Sequence, residues 1–269
     1  MKDDLGTRMK TQYEQRSRTF LPRRTYTIIR LDGKAFHTFT RGMERPYDQI
    51  FIDVMDKTAM FLASEIQGCK MAYVQSDEIS LLLTDFSTIT TDAWFDGNVQ
   101  KMVSVSASMA AAQFNQLFYM NAVADKLLDA NLDSFTNWPT EIFGKIALFD
   151  ARVFTIPDPV EVENYFIWRQ KDAVRNSLAM HAQSLFSHKE LNGKSQADMH
   201  DMIHAKGENW DKLPDGFKRG RTIKYDLPNE PDWTQEHPDL RQKWMVFTPD
   251  FLKEREDLSD LIPIYEENR

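Results

Sequence analysis

A chain of 269 residues, 42% of them hydrophobic and 18 of them Phe, can bury one large core, and its lone Cys69 excludes an internal disulfide and a cysteine zinc cluster. The net charge of −8 argues against a passive nucleic-acid coat protein. The N-terminus is polar and no apolar run approaches ~18 residues, so neither a signal peptide nor a membrane span is expected and the protein reads as cytoplasmic.

Residues 1–45 hold eleven Lys and Arg against five Asp and Glu. That basic stretch could meet phosphate or could be an ordinary solvated face. Leu5, Met9, Tyr13 and Arg16 predict a helix over 3–18, weakened by Gly6 and ended by Leu21-Pro22. Tyr26 to Leu31 read as a strand that runs into Asp32-Gly33. Asp48 caps a helix over 49–66, with Phe51, Met55, Thr58, Leu62 and Ile66 on one face and Gly68 as its stop. Met71–Gln75 and Ile79–Leu83 read as two strands, which places Asp77 and Glu78 near the tip of a tight hairpin. A long helix is predicted from Val99 to beyond Tyr119, its small face of Ser104, Ala107, Ser108, Ala111 and Ala112 suited to close packing on a sheet. Trp138-Pro139 breaks the segment after it. A further strand over 146–156 contains Asp150 and Arg152, and a helix follows from Pro157/Pro159 to about Ser187. The Pro-rich, acidic tail over 226–269 is expected to wrap on the surface or form a small appended unit.

Strand, helix, strand, strand, helix, strand is the ferredoxin-like plan, an α+β fold with an antiparallel sheet in the order 4-1-3-2 and its helices on one face. Residues 1–156 would form this palm-type domain, and 157–269 a helical extension and tail packed on it. In that order strand three lies beside strand one, so Asp32 and Asp77 become neighbours. Carboxylates on two adjacent strand ends suit a two-metal phosphoryl-transfer site, because Mg²⁺ takes oxygen ligands and two ions about 4 Å apart clamp the attacking and leaving oxygens. The plainer alternative is a pair of turn acids.

Arg30-Leu31-Asp32-Gly33-Lys34-Ala35-Phe36-His37 together with Tyr73-Val74-Gln75-Ser76-Asp77-Glu78 resembles the tRNA(His) guanylyltransferase superfamily, the 3′-to-5′ polymerases. Lys101, Phe149-Asp150-Ala151-Arg152-Val153 and Tyr165 to Asp172 resemble later family segments, so the likeness spans about residues 20–225. It implies that Asp32 and Asp77, with the Gly33 carbonyl, bind two Mg²⁺ ions and that Glu78 is a supporting catalytic carboxylate. It further implies that the backbone amides of Gly33, Lys34, Ala35, Phe36 and His37 hold a triphosphate, and that Ser76 and Lys101 contact the incoming nucleotide. Arg152, Asn176, Lys218 and Arg219 become RNA or phosphate contacts, although Arg152 could equally be a structural partner of Asp150. The implied substrates are ATP, GTP and the 5′ end of a tRNA, and the implied assembly is a homotetramer.

The sequence departs from the family after Trp168-Arg169-Gln170. Members dedicated to tRNA(His) carry His-Ile-Asn-Asn-Leu-Tyr-Asn there, whereas this chain reads Val174-Arg175-Asn176-Ser177-Leu178-Ala179-Met180. That favours the tRNA(His)-guanylyltransferase-like proteins, which repair truncated tRNA 5′ ends by template-directed addition. Two other readings compete: a cyclase-type palm that makes a cyclic nucleotide or small nucleotide signal, and a non-catalytic nucleotide- or RNA-binding module. Clustered idle carboxylates, which repel, count against the module. His200 and His204 have an i, i+4 spacing, but without a companion ligand they are not expected to hold zinc.

Overall fold

The computed structural model describes residues 4–129, 145–226 and 243–265. Trp138-Pro139 and Trp233 lie outside them. Six strands form one sheet in the order β4-β1-β3-β2-β5-β6. They are β1 (Tyr26–Gly33), β2 (Cys69–Gln75), β3 (Glu78–Leu83), β4 (Phe149–Ile156), β5 (Arg221–Asp226) and β6 (Lys243–Phe247), and every neighbouring pair is antiparallel. The first four reproduce the ferredoxin-like 4-1-3-2 order.

The helices are α1 (Leu5–Gln12), α2 (Phe36–Phe39), α3 (Gln49–Glu65), α4 (Val99–Asp129), α5 (Pro159–Leu185), α6 (His188–Leu191), α7 (Gln196–Ala205), α8 (Asp215–Arg219) and α9 (Arg255–Ser259). The Asp48 side chain accepts from Phe51 N–H and starts α3, as its position before the apolar periodicity predicts. Asp158 and Pro159 start α5 in the same way, with the proline in the first turn, where its missing N–H costs nothing.

β1 is apolar at consecutive positions because both of its faces are covered. Ile29 and Leu31 point toward α3 and α4, in a core with Leu62, Val74, Leu81 and Phe114. Ile28 points the other way, into a core with Met71, Tyr73, Leu82, Phe166 and Phe251. A third cluster packs the second half of α5 on α7 through Leu178, Ala182, Ile203 and Trp210.

Three elements differ from expectation. The first helix ends at Gln12, a 3-10 turn follows over Glu14–Ser17, and Leu5, Met9 and Tyr13 are exposed. On α4 the buried line is Met102, Ser106, Ala110 and Phe114, while Ser104, Ser108 and Ala112 face solvent. Met102 and Phe114, at the two ends of that line, bury more apolar area than any residue of the small stripe, so their side of the helix faces the core. The described part of the tail, 243–265, neither lies on the outside nor stands apart: β6 pairs with β5, and Phe251, Leu258 and Ile262 are buried in the second core.

Candidate active site

β1 ends where the hairpin between β2 and β3 turns. Gln75 pairs with Glu78, so Ser76 and Asp77 alone form the loop, and Ser76 sits at φ 46° in the left-handed region. The Gly33 N–H donates to the Asp77 carbonyl at 3.1 Å and ties the end of β1 to the loop. Asp32 is in register with Glu78 on one side and Asp150 on the other, so three carboxylates lie in a row across three adjacent strands. Like charges directly opposite one another in a sheet are unfavourable.

Gly33 is needed here for a packing reason. A Cβ at this position would lie 2.3 Å from the Phe36 ring, which folds back beneath the strand into a cluster with Phe39, Phe51, Phe114 and Phe149. This corrects part of the expected phosphate cradle. The Phe36 side chain belongs to the core, so that residue can offer a ligand only its backbone. The N–H groups of Gly33 and Lys34 are also spent, on Asp77 O and Leu148 O. What remains is the start of α2: Ala35 sits at φ 55°, and the N–H groups of Ala35, Phe36 and His37 have no backbone acceptor among the described residues.

Burial pushes the Asp77 carboxyl above its ordinary range, and the charge of Asp32 adds to the shift against the Ser76 hydrogen bond and His37. Burial also raises Glu78, opposed chiefly by Arg169 and then by Gln75 and Arg30. Glu78 therefore has a dedicated counter-charge. Arg169 Nε lies 2.8 Å from its carboxylate, although the N–H is not aimed along that line, so the contact is an ion pair without an aligned hydrogen bond. The other arm of Arg169 reaches Asp172 at 2.6 Å. By contrast, neither Asp32 nor Asp77 forms an ion pair with Lys or Arg among the described residues.

A cavity of about 340 Å³ opens beside the hairpin tip. His37, Ser76 and Asp77 form its rim. Met43, Tyr47 and Phe51 line it, as do Asn176, Met180 and Gln183 of α5. Gln75 and Arg221 are buried at its floor, where Arg221 Nε pairs with Asp56 at 2.6 Å. A lining that mixes aromatic and aliphatic side chains with polar and charged ones suits an aromatic base with a charged tail.

The structure thus brings together Asp32, Gly33, Ala35, His37, Ser76, Asp77, Glu78 and Asn176. Lys34 is exposed beside them. It does not bring Lys101 to them. Asn98 and Val99 pair with Phe20 and Thr19, ahead of the start of β1, so Lys101 lies at the opposite end of the sheet, on the order of 20 Å from Asp32. Lys218 is corrected from an RNA contact to a structural residue. It is buried, its ammonium donating to Asp211 O at 2.7 Å and pairing with Asp215 at 3.0 Å. Arg219 is held by Asp215 and Asp250. Arg152 remains half-exposed, 3.7 Å from Asp150. Among the described residues no three His, Cys, Asp or Glu side chains are gathered as a metal cage, His200 and His204 included. Asp32 and Asp77 nonetheless fit a hard cation, because they are oxygen donors on adjacent strand ends and their charge is left uncompensated.

Arg169 was a site residue that the sequence could have given. It falls on the apolar face of α5 with Tyr165, Phe166 and Ala173, and a charge at such a position calls for a buried partner.

A 4-1-3-2 antiparallel sheet with two helices on one face, and carboxylates where the central strand meets the adjoining hairpin, defines a palm-type α+β protein. The profile of the family described as tRNAHis guanylyltransferase matches residues 6–157, more than half of the chain. The tRNA(His) guanylyltransferase of Debaryomyces hansenii is 29% identical over 247 residues, 86% of this chain and 83% of that protein. Two solved structures of a bacterial tRNA(His) guanylyltransferase (Thg1)-like protein also align. The one in complex with ATP shows 38% identity and a TM-score of 0.79 over 96% of this chain and 98% of the other. The one in complex with GTP shows 36% identity and a TM-score of 0.75 over 97% and 100%. The chain belongs to the tRNA(His) guanylyltransferase family, whose named enzymes are nucleotidyltransferases. No helix among the described residues is long and apolar enough to cross a membrane.

Proposed function

We propose that this protein adds nucleotides, GTP favoured, to the 5′ end of tRNA in the 3′-to-5′ direction. The addition would follow a template base, after activation of the RNA end with ATP or from a 5′-triphosphate. The observation that carries the reading is the cavity: a base-sized space whose rim holds Asp77, Ser76 and His37, beside three unspent backbone N–H groups. The cavity walls would hold the base, and the N–H groups of Ala35, Phe36 and His37 would meet the triphosphate. The bacterial neighbours in complex with ATP and GTP support this use.

Asp32, Asp77 and the Gly33 carbonyl would hold Mg²⁺, with two ions expected, which lowers the pKa of an attacking hydroxyl and offsets charge on the triphosphate. Glu78, fixed by Arg169, adds negative charge beside Asp32 and keeps the hairpin acids in place. The α5 wall carries Asn176 and Met180, within the stretch that departs from the tRNA(His)-dedicated motif. This favours repair of truncated tRNA over strict tRNA(His) maturation, in keeping with the likeness to a bacterial like protein. Lys101, at the far end of the sheet, would serve a nucleotide only in a neighbouring copy, in keeping with an expected homotetramer.

The test combines the protein with Mg²⁺, ATP, labelled GTP and a tRNA lacking its first 5′ nucleotide. Label should enter the 5′ end according to the opposing base. Asp77→Ala should stay folded and lose at least ~10²-fold in rate, the scale on which removing one charge-stabilising group acts. Full activity in Asp77→Ala would sink the assignment. Consumption of nucleotide without RNA labelling would favour a signal-making palm.

A further inference from the structure

Arg221 stands at the floor of the cavity with part of its donor fork unused. It is the first residue of β5, in register with Val74 of β2, and its side chain meets α3 at Asp56. Nε donates to Asp56 Oδ1 at 2.6 Å, and Nη1 donates to the Gly216 carbonyl at 3.1 Å. The stem is held as well. A Cβ at Gly216 would lie 3.0 Å from Arg221 Cγ, so the glycine lets α8 close against it. Nη2 differs from its neighbours. It has no acceptor among the described residues, yet it is not sealed off, and the cavity is the space that this otherwise buried side chain lines. A guanidinium fixed at two points, with an open N–H edge, is a preorganised site for an acceptor.

The surroundings narrow the choice of acceptor. Asp56 is buried against Arg221 and offsets its charge, so the floor offers less to a triphosphate than to a neutral carbonyl. Tyr47 and Phe217, in ring contact at 5.2 Å, and Met180 line the same space and suit the faces of a purine. Guanine carries two adjacent acceptors on one edge, O6 and N7, and these match the paired N–H groups of a guanidinium. Adenine keeps N7 but has an amino donor in place of O6, so donor would face donor. We infer that Arg221, held by Asp56 and Gly216, is the specificity-determining residue of the cavity and selects guanine over adenine by donating to O6 and N7. The inference rests on the reading of the cavity as the nucleotide site. It adds which base that site prefers and the side chain that makes the choice.

The experiment measures binding of GTP, ITP, 7-deaza-GTP and ATP to the wild type, and of GTP and ATP to the double variant Asp56→Asn/Arg221→Gln. ITP lacks only the 2-amino group and keeps O6 and N7, whereas 7-deaza-GTP loses N7. The wild type should bind ITP within about threefold of GTP, 7-deaza-GTP about tenfold more weakly and ATP about 10–100-fold more weakly, the range that one bidentate base contact supplies. The double variant leaves neither member of the buried pair alone, and glutamine matches N6 and N7 of adenine. Its GTP-to-ATP affinity ratio should therefore fall to about one or below. Equal binding of GTP and ATP by the wild type, or of GTP and 7-deaza-GTP, would overturn the inference, and these comparisons stand whether or not the variant folds. ITP far weaker than GTP would overturn it by moving the choice to the 2-amino group. A folded variant that keeps the wild-type ratio, with both affinities held or both lowered, would overturn it as well and leave the function standing. A wild type that binds none of the four nucleotides and labels no RNA would remove the functional reading and this role with it.

Discussion

Asp77 and Glu78 are adjacent, and burial raises the proton affinity of both, but only Glu78 is given an arginine. The uncompensated carboxylate has a consequence for stability. Its folded pKa lies above the ordinary 3.8, so between those two values the folded chain holds more protons than the unfolded one. Stability from this group therefore falls as pH rises through that window and stays reduced above it. Asp77→Asn should melt higher than the wild type at pH 7 in the absence of divalent ions, with the gap closing as pH drops toward 3.8. Adding Mg²⁺ should raise the wild-type melting temperature and leave Asp77→Asn unmoved. Equal melting curves at every pH would mean that the carboxylate is solvated and not poised for a cation. The residues of this site that sequence revealed are the ones set by local geometry: a strand end, a two-residue turn, a glycine between them. Lys218 was misjudged, and Lys101 does not reach the site of its own chain, because a lysine's role depends on where its long side chain ends. For Lys218 that is the Asp211 carbonyl seven residues back; for Lys101 it is the far end of the sheet.

At the scale of elements, the apolar run of β1, the Asp48 cap of α3 and the hairpin were legible because each signal is carried by neighbouring residues. β5 and β6 were not. β5 alternates Arg221, Ile223 and Tyr225 with Thr222, Lys224 and Asp226, and its partners, β2 and β6, are distant in sequence. One side chain on α5 ties these distant pieces together. Gln170, fully buried, donates to Arg219 O at 3.3 Å and Pro249 O at 2.9 Å and accepts from Leu252 N–H at 3.2 Å. Truncating it takes the partner from Pro249 O and Leu252 N–H, while Arg219 O keeps the Tyr73 hydroxyl. Gln170→Ala should cost about 2–4 kcal/mol in urea unfolding, and amide exchange at Leu252 should quicken in the native state. A cost below ~0.5 kcal/mol would show that water replaces the amide without penalty.

At the scale of the whole molecule, the sheet divides two cores that depend on different parts of the chain. The core under α3 and α4 comes almost wholly from the palm segment, and the family profile ends close to the end of β4, at residue 157. The opposite core draws Phe251, Leu258 and Ile262 from the last described segment, against Tyr26, Ile28 and Tyr73 of the palm strands. A tail that merely lay on the surface would be dispensable. Here its loss would uncover apolar faces of β1 and β2 and strip β5 of its outer partner, leaving an open strand edge of the kind that drives aggregation. Three aromatic or aliphatic side chains taken out of a core forfeit about 1.5–3 kcal/mol each, a large share of the ~5–15 kcal/mol that holds an ordinary domain together. Removing residues 227–269 should therefore abolish cooperative unfolding and yield an aggregating chain, even though Asp32, Asp77 and the cavity lie wholly within what remains. A truncated protein that melts cooperatively near the wild-type temperature would mean that the palm and α5 close the second core by themselves, with the tail an addition to a finished fold.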